Sequence, residues 1–139
     1  MRSFLALCVL AIFTAACGGD SNPVIPTPLN VPFSTTTLRE GTGPQAVNGN
    51  SMSVTYTLWL YSTTATDNKG PQLEAGSFTM TLGVTNLIPG FTQGVTGMRQ
   101  GELRRIVVPP NLAYGSAGQG SVPPNATLVF EVNLVTLTQ

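Results

Sequence analysis

The chain has no histidine, and its two cysteines, Cys8 and Cys17, both stand near the amino terminus. Beyond residue 17 nothing remains from which to build a Ser-His-Asp or Cys-His nucleophile, a histidine-ligated zinc site, a thiolate metal site or a disulfide. Charge is scarce as well. Only 9% of the 139 residues are Asp, Glu, Lys or Arg, and six of each sign cancel. No basic stripe exists to meet a nucleic acid, and no acidic run to meet a cationic client. The Gly-rich run at 115–120, GSAGQG, has no P-loop lysine and no strand-to-helix setting, so it reads as a loop tip. No metal or cofactor motif is seen. The length suits one domain, and its chemistry must work without imidazole or thiol.

What is present begins with an address. Residues 1–17 read MRSFLALCVLAIFTAAC. Arg2 supplies a positive start, and 4–13 is an apolar stretch well short of the roughly 20 residues that span a bilayer, as in an export signal. Thr14-Ala15-Ala16-Cys17 resembles a bacterial lipobox, with Thr14 in place of the usual large aliphatic residue. The expectation is a signal over 1–16, a lipid on Cys17 and membrane attachment through that lipid alone. Two other readings are a cleaved signal without lipid and an N-terminal helix packed on the domain. Gly18 rather than Asp after the cysteine implies outer-membrane sorting, facing periplasm or surface. Residues 17–32 read as a Pro-rich tether, because Pro23, Pro26, Pro28 and Pro32 disfavour helix and sheet. The folded domain is expected over 33–139.

Within that domain the dominant period is two. In 51–60, Met52, Val54, Tyr56, Leu58 and Leu60 share one face, opposite Ser53, Thr55 and Thr57, as in a half-buried strand. In 126–137, Leu128, Phe130, Val132 and Leu134 alternate with Val129, Glu131 and Asn133. Strands are also expected at 33–38, 78–82 and 103–108, the last stopped by Pro109-Pro110. One helix is expected, over 89–98: Pro89 suits its start, Phe91, Val95 and Met98 recur at spacings of four and three, and a glycine ends it. Loops are expected at 62–72 and 109–125. Arg104-Arg105 reads as a solvated strand edge. The class is α+β: an antiparallel sheet of about five strands with one short helix.

VTYTLWL, then LIPGFTQGVTGMRQGELRRIVVPPNLAYG, then VPPNATLVFEVNLVTL together resemble the FKBP-type peptidyl-prolyl cis/trans isomerases over about residues 34–137. The resemblance implies a sheet wrapped around the short helix, with an aromatic-lined hollow between them. It also implies a role for each matched residue. Tyr56 is the tyrosine of the second-strand motif, which here reads YTL, with Leu58 in place of a glycine. Leu73-Glu74 align with a phenylalanine–aspartate pair in the loop after that strand. Phe91 stands at the hollow's floor, where tryptophan is usual. Tyr114 is the tyrosine of the AYG motif and Phe130 the deep phenylalanine of the last strand. These six are the implied catalytic set. Phe78, Leu87, Ile88 and Val122 are the implied substrate-binding residues, the Ile88 N–H as a donor. By periodicity alone, Tyr56, Phe78, Phe91 and Phe130 would be ordinary core.

The function implied is proline isomerisation that assists folding of exported proteins at the bacterial cell envelope. The implied partners are proline-containing segments of those proteins and the macrolide ligands of the family, with no nucleic acid and a monomeric chain. The alternative is an FKBP-like binding or chaperone module with weak or no turnover, favoured by Leu73 and Phe91. A structural envelope lipoprotein is a third reading.

Overall fold

The computed structural model describes residues 29–139, so the export signal, Cys17 and residues 17–28 of the tether lie outside the described residues. Five strands form one antiparallel sheet: β1 (Ser34–Arg39), β2 (Ser51–Tyr61), β3 (Lys69–Thr81), β4 (Leu103–Val108) and β5 (Leu128–Thr138), in the order β1-β4-β5-β2-β3. One helix, α1 (Pro89–Val95), lies against β4. This is the expected sheet wrapped on a short helix. Among these residues no helix is long and apolar enough to cross a membrane.

The alternating pattern builds the core directly. Met52, Val54 and Leu58 of β2, Leu128, Phe130, Val132 and Leu134 of β5, and Ile106 and Val108 of β4 are buried on the helix side of the sheet. The helix meets them with Phe91 and Val95, and it comes close because Gly90 and Gly94 face the sheet. A Cβ on Gly90 would stand 2.2 Å from Val108 Cγ1, and one on Gly94 2.4 Å from Ile106 Cδ1. Val129 is buried on the reverse face, flanked by Trp59 and Val107.

Three expectations need correction. The strand expected at 78–82 begins at Lys69, so the last four residues of the loop expected at 62–72 belong to a 13-residue edge strand. Its Gly70, Pro71 and Gly76 read as turn residues, but β3 pairs only with β2, and an edge strand tolerates proline. The register slips between Leu58 and Trp59 and again before Tyr61, which places bulges on β3 at Leu73 and near Pro71. The helix is shorter than expected. It stops at Val95, Thr96 turns extended, and Gly97 takes a φ of 78°, so Met98 reaches the core from a turn.

Arg104 and Arg105 are not a solvated edge. Arg104 is on the helix side, where Nε donates to Glu102 Oε1 at 2.7 Å and Nη1 donates to the Gly94 and Thr96 carbonyls at the helix's end. A cation there also complements the helix dipole. Arg105, on the other face, joins Glu131 and Asp67, and Lys69 reaches Glu131 while lying over the Trp59 ring.

Glu102 is 3% exposed and accepts from Arg104, the Thr37 hydroxyl and the Arg99 N–H. Burial alone would push its carboxyl up. The Arg99 N–H and Arg104 outweigh that and hold it below the usual carboxylate range. Glu131 follows the same rule: burial opposes its charge, and Lys69 and Arg105 overcome it.

Candidate functional site

A hollow of about 110 Å³ opens between the sheet and α1. It is lined by Tyr56, Leu58, Glu74, Phe78, Leu87, Ile88, Phe91, Tyr114 and Phe130. Period two explains the sheet wall. Leu58 is paired with Phe130 on one side and Glu74 on the other, and Val54 is paired with Phe78, so these side chains share a face with Tyr56. Tyr56 is paired with Gly76, and the tyrosine ring lies over that glycine, where a Cβ would meet Cε1 at 3.6 Å. Pro89 starts the helix at its first turn, so Leu87 and Ile88 arrive as extended chain at the rim and Phe91 points inward as the floor. Tyr114 comes from the loop after the 3-10 turn Pro110–Leu112.

Four aromatic rings form a connected bowl. Phe91 and Phe130 meet edge to face with centroids 5.4 Å apart, Phe78 and Phe91 lie at 5.7 Å, and Tyr56 is 5.5 Å from Phe78 and 6.5 Å from Phe91. Such geometries add to simple burial and fix the rings relative to one another. The Tyr56 hydroxyl donates to Glu74 Oε1 across the strand pair. Burial, and after it this carboxylate, push the Tyr56 hydroxyl up to about 12. The bowl therefore keeps a neutral phenol at physiological pH. The Ile88 N–H at the rim finds no acceptor among the described residues.

Eight of the ten residues singled out in the sequence come together here. Leu73 and Val122 do not. Leu73 is the extra residue of the β3 bulge and packs on the core's margin, and the Leu73-Glu74 pair lies in a strand rather than the expected loop. Val122 is buried in the core beneath the 109–125 loop. Leu58 was missed as a site residue. Its place on the Tyr56 face was the available signal. A separate groove joins Leu29, Asn30 and Val31 to Pro109, Pro110 and Gly115, so the end of the tether region lies on the domain beside the Tyr114 loop.

The fold and the sequence have known relatives. Residues 43–135 match the family model described as FKBP-type peptidyl-prolyl cis-trans isomerase. An FK506-binding protein of Neisseria meningitidis serogroup A is 41% identical over 99 residues, which is 70% of this chain and 89% of that protein. Among solved structures, a peptidyl-prolyl cis-trans isomerase from Pseudomonas syringae superposes with a TM-score of 0.62 at 29% identity, covering 77% of this chain and 76% of that one. FkpA from Escherichia coli gives 0.63 at 29%, covering 76% of this chain and 48% of FkpA. The chain belongs to the FKBP-type peptidyl-prolyl cis-trans isomerases.

Proposed function

We propose that this isomerase assists folding of exported proteins at the bacterial cell envelope and that the aromatic hollow is where it turns their X-Pro bonds. The observation that carries the site is the bowl itself: Tyr56, Phe78, Phe91 and Phe130 enclosing apolar space beside the Tyr114 side chain and an Ile88 N–H that no described residue engages.

Rotation about a peptide C–N bond costs about 18–20 kcal/mol because amide resonance is lost. For X-Pro the two ground states lie within about 1 kcal/mol, so the difficulty is kinetic. No bond needs to be broken. The planar amide separates charge between nitrogen and oxygen more than the twisted one, so a site that excludes water disfavours the planar form more. Phe91 and Phe130 hold the pyrrolidine ring against the floor, and Tyr56 and Phe78 close the sides. The Ile88 N–H and the Tyr114 hydroxyl donate to carbonyls of the bound chain and hold it through the twist. Glu74 fixes the Tyr56 phenol. Leu73 and Val122 support this wall and the loop from behind.

The envelope setting rests on the export-type N-terminus with its lipobox-like Cys17, and the macrolide ligands of the family are proposed for the same hollow. Acceleration of X-Pro relaxation that is lost in Phe130→Ala tests the catalytic reading. Binding of proline peptides without acceleration would instead favour the binding-module reading.

A further inference from the structure

We propose that Glu74 makes the hollow selective for client segments that carry a lysine or arginine beside the proline. The proposal rests on the hollow being the substrate site, as argued above. Among the described residues, Asp67, Glu102 and Glu131 are each ion-paired with an arginine or lysine. The other arginines are engaged away from the hollow: Arg39 donates to the Gly101 carbonyl and Asn133, and Arg99 to the Gly43 carbonyl. Among the described residues Glu74 has no cationic partner, and it is the one charged residue of these that lines the hollow.

Its position suits an incoming cation. Oε1 accepts the Tyr56 hydroxyl, and no second donor reaches the carboxylate among the described residues. Glu74 stands on β3, the edge strand, and is exposed. It therefore marks the rim, where a chain held by its proline must leave the bowl. A client lysine or arginine there would give Glu74 the counter-charge that no described residue supplies.

Positioning Tyr56 alone would need an acceptor and no charge. Glu74→Gln separates the two roles, because the amide oxygen can still accept the phenol proton while the charge is gone. The assay is cis-to-trans relaxation of peptide pairs with the full chain, lysine against its neutral isostere norleucine, placed in turn at the positions flanking the proline. The readout is the ratio of kcat/KM within each pair, so any loss common to both peptides cancels.

At low salt the lysine peptide is expected to be favoured about two- to fivefold at one or more positions, the range of a solvent-exposed ion pair. The ratio should fall to near one in Glu74→Gln. It should also fall in roughly 1 M salt, where the screening length is about 3 Å. A ratio of one in the wild type, or a preference that survives Glu74→Gln, overturns the proposal. If neither peptide is accelerated, the isomerase site itself has failed. The same ratio is then read from Kd by calorimetry, and equal Kd values overturn the selectivity as well.

Discussion

Replacing Gly94 with alanine should destabilise the domain, although alanine is the better helix former. In an unpacked helix the change would stabilise by about 1 kcal/mol. Here the new Cβ would lie 2.4, 2.5 and 2.8 Å from Ile106 Cδ1, Cγ2 and Cγ1. Comfortable carbon contacts are about 3.5–4.0 Å, and Ile106 is fully buried. Overpacking of this kind costs about 1–3 kcal/mol. With three contacts too close, the upper half of that range applies, and the net loss is about 1–2 kcal/mol after the propensity gain. For a domain near this size, that is a fall of about 4–16 °C in Tm by calorimetry.

The same substitution lifts α1 from β4 and with it Phe91, so kcat/KM should fall along with Tm. Ile106→Val removes the nearest offending carbon. The double variant should therefore lose less stability than the two single losses added together. A Gly94→Ala protein as stable as the wild type, or strictly additive losses, would refute the argument that this glycine seats the helix.

Other outcomes follow from the same structure. Tyr114→Phe should lower kcat/KM by about two- to tenfold, the worth of one ordinary hydrogen bond, with the urea unfolding midpoint unchanged. Glu102→Ala should cost about 2–4 kcal/mol in urea unfolding, because it strips a partner from Arg104 while leaving the Gly94 and Thr96 carbonyls in place. Glu102 and Glu131 are both held below their ordinary range, so the stability they supply is present above it and lost as pH falls through their folded values. Tyr56 has the opposite sign. Its contribution is full below about pH 10 and disappears as pH rises toward about 12, and tyrosinate absorbance should show the Tyr56 hydroxyl titrating there. Cys17→Ser should move the protein from the membrane to the soluble envelope fraction, and a wild type that is already soluble and carries no lipid would contradict the anchor.

The strands with clean alternation were legible in the residues. Met52, Val54 and Leu58, and Leu128 through Leu134, bury the faces their period predicts. β3 was legible only at its end. A bulged edge strand with one partner places weak demands on side chains, so Gly70, Pro71 and Gly76 resemble a loop. Gly90 and Gly94 weakened the helix pattern, yet they are what brings α1 against Ile106 and Val108.

Candidate residues on regular strands or at the helix start came together at the hollow, because period and capping fix their directions. Leu73 did not, since a bulge re-aims a side chain and no pattern of residue types announces it. The burial of Arg104 and Arg105 was hidden for a related reason: the Gly94 and Thr96 carbonyls that meet Arg104, and the Glu131 and Asp67 that meet Arg105, are brought to them only by the fold.

The aromatic hollow is proposed to turn X-Pro bonds. The measurement that tests it most directly is cis-to-trans relaxation of X-Pro peptides with the wild-type protein, beside Phe130→Ala and Phe91→Ala variants shown by circular dichroism to be folded. The wild type should accelerate the relaxation, and both folded variants should lose that effect. Acceleration that persists in both, or none from a folded wild type, would contradict it.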